Sequence, residues 1–479
     1  MEDVPSSRRT FWIIAGAGAL LYLLTAITNP GIIAADDYGD VISRVIPAQA
    51  HSVQEIGDKA GFRSPFTPLT HFAIVKTAHA LGVEHPLTQF RIDLAVAGLF
   101  SFFLTLWAGC MVFGGYAEPD RSRHRIVFAG LLGFYFLAPL LLTRPMVEAM
   151  SAPFLAASVA LACRYQLTLQ SRWLVLSIVS LTIGAMHRPQ IGVCALALVA
   201  LVMGLKRWKD LALFAGVGAI CVIASGMLDY RLIGEWHATL KRYIALNAAP
   251  TVAGDRSSWF VFPLLFLGLS LPPAFFLRYR TLDWKARYDP LRPVILFFTI
   301  FLLAHTLVRH KEERFMIPLL PLFLMLLTPL LAFLIAHRDQ YRWRVAFLAV
   351  VNGVLLALAV TSAPQRAAIE LTRYVDANPT ISTISRVGDF FQVPTVFVSH
   401  PVTLRESKEL DETALECGGV VAVLALTKTG KELAADPRLT AVAEFDPGPL
   451  ERLLVAVNPR HNARRGPVLV LRPSRCGTA

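Results

Sequence analysis

The sequence predicts a polytopic α-helical membrane protein of about eleven crossings, with a small α/β domain at its C-terminal end. Three observations lead there. Of the 479 residues 55% are hydrophobic and only 17% charged, where soluble domains carry about a quarter. Mean hydropathy is +0.53. Apolar runs long enough to cover a hydrocarbon layer of roughly 30 Å recur until about residue 362 and then stop.

The first run, 11–28, follows Arg8 and Arg9. It has the make-up of a secretory leader, but no small-residue cleavage site follows it and further spans do. It therefore reads as a retained signal anchor. Further spans are expected at 91–115, 126–142, 146–163, 173–187, 190–205, 211–228, 259–277, 293–308, 315–336 and 345–362. The hairpins at 143–145 and 187–190 are short, and Pro145 and Pro189 equally allow kinks in broken helices. With the N-terminus inside, every inside loop is basic, from Arg121, Arg123 and Arg125 to Arg338, Arg342 and Arg344. That pattern accounts for the net charge of +12. No basic stripe interleaved with aromatic residues is present, so no nucleic-acid partner is expected.

The outside segments then hold the unusual chemistry. The first, about 29–90, contains Asp36, Asp37, Asp40, Glu55, Asp58 and Arg63. Its run from Val41 to Ile56 has helical spacing suited to the membrane interface. The segment 229–258 reads as a second interfacial helix. The short outside turns carry Arg144, Arg188 and the run His310-Lys311-Glu312-Glu313-Arg314. These cations lie on the side that topology does not favour.

After residue 362 the composition becomes ordinary, which divides the chain into a membrane domain, 1–362, and an extracytoplasmic α/β domain, 363–479. Strands are expected at 395–399, 420–426, 441–445, 453–457 and 468–471, with a helix near 405–416. Cys110, Cys163, Cys194 and Cys221 fall in apolar runs as small core residues. Cys417 and Cys476 lie in the tail and could pair there. No metal-type Cys or His spacing appears, and no metal site is expected.

Asp36 and Asp37 follow the outer end of the first span. Adjacent carboxylates serve as a general base, hold a hard cation, or form a solvated loop edge. Arg144 and Arg188 either bind a phosphate at the outer surface or pair with carboxylates; Glu148, one helical turn after Arg144, is such a partner. Five polar groups at 310–314 between two apolar runs are more than a hairpin needs. Their mixed signs point to a built site.

Residues 310–321, His-Lys-Glu-Glu-Arg-Phe-Met-Ile-Pro-Leu-Leu-Pro, closely resemble the signature of glycosyltransferase family 22, membrane mannosyltransferases of the GT-C type. Other pieces fall in that family's order: Asp36-Asp37-Tyr38, Arg63-Ser64, Thr143-Arg144 with Glu148, Arg188-Pro189, and Asp229-Tyr230 with Asn247. Ala34 and Ala35 stand where the family has His-Pro, and Asp37 where it has Glu. The resemblance implies sugar transfer, with inversion, from a polyprenyl- or dolichyl-phosphate donor to a glycan or glycolipid acceptor. It implies Asp36 as general base with Asp37 supporting it. It implies His310, Lys311, Arg314, Arg144 and Arg188 on the donor phosphate, and Glu312, Glu313 and Arg63 in support. The donor is then the lipid-phosphate sugar, and a divalent metal is not predicted. The setting expected is a bacterial inner membrane with a periplasmic active face, or an endoplasmic-reticulum membrane with a luminal one. Two rivals share the architecture: a lipid or glycan transporter, and a related enzyme using another sugar.

Overall fold

The computed structural model describes residues 4–34, 37–58, 64–248, 258–275, 283–308 and 311–476. It divides into two compact units. Met1–Leu24, Ser52–Thr70 and Leu94–Ala357 form the first; Thr25–His51, His71–Asp93 and Leu358–Ala479 form the second. Among the described residues, seven helical stretches are long and apolar enough to cross a membrane: Ser7–Thr28, Pro86–Gly115, Val147–Thr168, Trp208–Ile233, Trp284–Leu307, Glu313–Ala336 and Arg338–Asp376. Ser171–His187 and Pro189–Gly204 are apolar but shorter.

The helices that matter below are α1 (Val4–Thr28), α2 (Phe66–Ala80), α3 (Pro86–Val112), α4 (Asp120–Phe134), α5 (Val147–Thr168), α6 (Ser171–His187), α7 (Trp208–Ile233), α8 (Arg292–Leu307) and α9 (Arg338–Thr361). In the first unit, small residues let backbones approach closely, as helix packing in lipid requires. A Cβ on Gly18 of α1 would stand 2.9 Å from the Gly133 Cα of α4. Beside this contact the Tyr22 hydroxyl donates to the Leu132 carbonyl at 3.2 Å. Helices α5 and α6 are clasped by two hydroxyls: Ser158 Oγ donates to the Ser177 carbonyl at 2.9 Å, and Ser177 Oγ to the Ser158 carbonyl at 2.8 Å.

Two expected spans are not continuous. The stretch 126–142 is the second half of α4, a break after Phe134, and a single turn, Ala138–Leu141. Asn352 of α9 satisfies that break: its Nδ2 donates to the Phe134 carbonyl at 2.7 Å and its Oδ1 accepts the Phe136 N–H at 3.0 Å. A partner helix thus replaces the lost ladder bonds, which lipid cannot do. Among its described residues, the stretch 259–277 contains the nine-residue helix Val261–Leu269 and a 3-10 turn, Pro272–Phe275.

The second unit is built on a five-stranded sheet in the order β2-β1-β3-β5-β4, with β1 Thr383–Val387, β2 Thr403–Ser407, β3 Gly419–Leu424, β4 Leu439–Phe445 and β5 Val468–Pro473. Strands β2, β1 and β3 are parallel, and β5 and β4 antiparallel. Central β3 is buried on both faces, which is why it reads as an unbroken apolar run. One face packs on helix α10 (Arg366–Asp376) through Ala367, Leu371 and Val375; the other is covered by Leu433 and Ala414. Cys417, before β3, and Cys476, after β5, form a disulfide.

Three expectations in the tail are corrected. Thr395–Phe397 is a 3-10 turn, and Pro449–Val457 is a helix whose Pro449 sits in the first turn, where its missing N–H costs nothing. The expected helix near 405–416 holds the end of β2 and a turn at Glu412–Leu415.

Residues from the start of the chain belong to the same unit. Asn29 Nδ2 donates to the carbonyls of Ala359 and Ser362 at 2.8 and 3.2 Å. A Cβ on Gly31 would stand 2.3 Å from Pro364 Cδ. Gln89 Oε1 accepts the Ala48 N–H at 3.1 Å, and the Phe90 and Phe397 rings stack at 5.0 Å. The expected interfacial helix over Val41–Ile56 is instead a series of short turns. Pro47, after extended Ile46, interrupts it, and a new helix begins only at Val53.

Candidate active site

In the first unit the turns that carry Arg144 and Arg188 are helix breaks with buried charges. Proline ends each helical path, because it lacks an N–H and clashes with the preceding turn. Before α5, Thr143 Oγ1 donates to the Pro139 and Leu140 carbonyls at 2.8 and 3.1 Å, and Arg144 Nε to Leu140 at 3.2 Å. Arg144 is only 1% exposed. Gly98 of α3 makes room for this break: a Cβ there would lie 2.7 Å from Thr143 Cγ2.

Helix α6 ends at His187, and Arg188 takes up an extended backbone before the 3-10 turn Pro189–Cys194. Arg188, 2% exposed, forms an ion pair with Glu148 in the first turn of α5. The two residues meet because α5 and α6 form an antiparallel hairpin about Leu169, which has the left-handed φ of +55°. Glu148 lies 21 residues before that turn and Arg188 19 after it, so they reach the same level. The sequence reading had named Glu148 as a partner for Arg144, its near neighbour; the carboxylate pairs with Arg188 across the hairpin.

The third turn closes the group. Arg188 stands over the Phe315 ring at 4.8 Å and Arg314 over the same ring at 5.8 Å, both cation–π contacts. Arg314 Nε donates to Glu312 Oε2 at 2.6 Å. Lys311 Nζ donates to the Val308 carbonyl at 2.5 Å, and Glu313 is exposed at the start of the 3-10 turn Glu313–Leu319. Each arginine on the ring thus has its own carboxylate to orient it. Cations held this way in a poorly solvated break bind a phosphate oxyanion through charge-assisted hydrogen bonds.

Sequence reasoning missed several residues of this group. His187 Nδ1 shares a hydrogen bond of 2.9 Å with Thr67 Oγ1, and its ring lies near Phe66 and Phe154. Gln190 Nε2 donates to the Tyr243 hydroxyl. Buried His305 stacks on Phe301, with ring centroids 4.0 Å apart, and its Nδ1 is 2.8 Å from the Phe301 carbonyl. The one available signal was position: His187 precedes Arg188-Pro189, and His305 lies six residues before Lys311.

Asp229 is structural in the first unit. It lies on the last turn of α7, where its oxygens accept the Thr239 N–H at 2.9 Å and the Thr239 hydroxyl at 3.1 Å. This caps the helix Ala238–Ala248, so the expected second interfacial helix exists but starts after Asp229. The Asn247 side chain lies outside the described residues.

Asp36, Arg63 and His310 also lie outside the described residues. Asp37, in the second unit, is 4% exposed and its Oδ2 accepts the Ala34 N–H at 3.0 Å. The same unit holds a buried pair the sequence did not reveal. His71 Nδ1 of α2 lies 2.8 and 2.9 Å from the two oxygens of Asp93 on α3. Among the described residues, no group of three or more His, Cys, Asp or Glu side chains is placed to hold a metal ion.

Two crystal structures of ArnT from Cupriavidus metallidurans have a similar fold. The one bound to undecaprenyl phosphate gives a TM-score of 0.57 at 11% identity, and the apo one 0.60 at 13%; each match covers 98% of both chains. Its membrane-length helices and its family make the chain a multi-pass membrane glycosyltransferase. Over residues 52–400 the sequence matches the Alg9-like mannosyltransferase family, and the chain belongs to that family. No curated protein matches it.

Proposed function

We propose that this protein transfers a sugar, mannose by family, from a polyprenyl- or dolichyl-phosphate donor to a lipid-linked or glycan acceptor. The acceptor hydroxyl gives its proton to the Asp36 carboxylate as its oxygen attacks the anomeric carbon, with Asp37 in support. The bond from that carbon to the phosphate oxygen breaks with inversion. The phosphate leaves as a monoester with one more negative charge than it had in the diester. Arg188, Arg314, Lys311, Arg144 and His310 stabilise that growing charge, and Glu148, Glu312 and Glu313 orient them. Arg63 has a supporting role.

The observation that carries this reading is the convergence of Arg188 and Arg314 on Phe315, each with its own carboxylate. The undecaprenyl phosphate bound in an ArnT structure supports the donor class. The Cys417–Cys476 disulfide supports an oxidising side for the tail, the periplasm of a bacterial inner membrane or the lumen of the endoplasmic reticulum.

The test is transfer in vitro. Purified protein, polyprenyl-phosphate mannose and an acceptor extract should yield a new mannoside, and Asp36→Asn should lower turnover at least 100-fold with normal expression. Near-normal turnover in that variant would refute the base assignment. A product formed only with a different lipid-phosphate sugar would refute mannose.

A further inference from the structure

The far end of the first unit carries a second basic group. Arg164 lies sixteen residues beyond Glu148 on α5, about 24 Å at a rise of 1.5 Å per residue, so this group sits near the opposite membrane surface from Arg188. Two adjoining cavities open there. One, of about 630 Å³, is lined by Arg8, Trp12, Phe103 and Trp107; the other, of about 530 Å³, by Arg121 and Arg164. Trp107, Cys110 and Arg125 line both, so the two share a wall.

The walls have two kinds of chemistry. Trp12, Phe103 and Trp107 are exposed apolar surface at the ends of membrane helices, the depth at which tryptophan gathers. The four arginines converge on the same space. Arg125 Nε and Nη2 donate to the Cys110 carbonyl at 3.2 and 3.0 Å, which fixes that guanidinium at the shared wall. Arg8 and Arg164 are exposed, and no ion pair or hydrogen bond engages either guanidinium among the described residues. Among the lining residues, Glu118 is the one carboxylate: it pairs with Arg121 at 3.9 Å and its Oε2 accepts the Ser122 N–H and hydroxyl, so it offsets one of the four cations.

We propose that this groove binds an anionic glycerophospholipid, with its phosphate among Arg8, Arg125 and Arg164 and its acyl chains on Trp12 and Trp107. A neutral lipid leaves the excess positive charge uncompensated, whereas an anionic headgroup matches it and keeps its tails in hydrocarbon. In the orientation proposed above this is the cytoplasmic leaflet. The site does not depend on the transfer reaction.

The test uses the full-length protein in detergent micelles with phosphatidylglycerol or phosphatidylcholine carrying brominated acyl chains, which quench nearby tryptophan. Brominated phosphatidylglycerol should quench about threefold more strongly at equal concentration. The excess should vanish in Arg8→Gln/Arg164→Gln and in Trp12→Phe/Trp107→Phe, while quenching by brominated phosphatidylcholine stays unchanged in the arginine variant as a check on folding. Arg8→Gln alone should remove part of the excess. Equal quenching by the two lipids in wild type, or an excess that survives the arginine changes, overturns the proposal. Undecaprenyl phosphate is the competing source of the same chemistry. If it displaces the brominated lipid at tenfold lower concentration than plain phosphatidylglycerol does, the groove belongs to polyprenyl lipid and the proposal falls.

Discussion

Glu148 and Arg188 lie 40 residues apart in sequence and form one buried ion pair, each with a side chain only 3% exposed. Glu148 begins one helix and Arg188 follows the next, so the pair ties two helix breaks together at one level of the membrane. A buried pair gives little net stability when intact, but losing one partner strands a charge at about 3–5 kcal/mol.

The pair therefore predicts strong non-additivity. Glu148→Gln and Arg188→Gln should each lower the midpoint of thermal unfolding, and the double variant should be less destabilised than the sum by about 1–3 kcal/mol. Purified protein melted in detergent gives the cycle. Additive losses would show that the two side chains do not interact.

Lysine at Arg188 keeps the charge but loses the flat face that stands over Phe315. Arg188→Lys should retain most of the stability and raise the KM for the lipid donor by about tenfold, roughly 1.4 kcal/mol of binding. Steady-state kinetics at varied donor concentration check this. An unchanged donor KM would remove Arg188 from the donor site.

Gly98 predicts a compensated pair. Gly98→Ala pushes a methyl group into Thr143 Cγ2, and overpacking of this kind costs about 1–3 kcal/mol. The Thr143–Arg144 break should shift and turnover should fall. Thr143→Ser removes the opposing methyl yet keeps the hydroxyl that donates to Pro139. Gly98→Ala/Thr143→Ser should recover most of the lost turnover, and failure to recover would place the defect elsewhere.

Glu451 predicts a pH dependence in the sheet unit. Burial raises its carboxyl above the usual glutamate range, against the opposing pull of the Gln365, Arg366 and Gly448 N–H groups. The folded state then binds a proton more tightly than the unfolded chain, whose glutamates titrate near 4.3. Stability from this group is greatest below that value, falls as pH rises to the raised folded value, and is flat above it. Hydrogen exchange of strands β1 to β5 in the full-length protein should show this slope. Glu451→Gln should reduce it, and an identical slope in the variant would mean another group is responsible.

The site was legible where local chemistry speaks and hidden where register decides. Proline marked both breaks that carry Arg144 and Arg188, and the dense 310–314 run announced itself between apolar spans. Partner choice was not local. Glu148 finds Arg188 because two helices of nearly equal length fold back at Leu169, and that needs the turn position as well as the residues. His71 and Asp93 were hidden for the same reason, since each is an isolated polar residue in an apolar helix until the hairpin joins them. In the tail, central β3 was plain as a continuous apolar run. Edge strand β2, Thr403–Ser407, is polar and largely exposed, so its composition resembles a loop.

The hydrogen bonds from Asn29 to Ala359 and Ser362 impose an order of assembly. The acidic turn beside the first helix leaves the ribosome early, yet the backbone that anchors its base is made some 330 residues later. Until translation passes that point the turn has nothing to rest on. A chain truncated before Ala359 thus loses an anchor of its beginning together with its end, and a ribosome stalled before that codon yields a membrane protein in which Asn29 lacks these two acceptors.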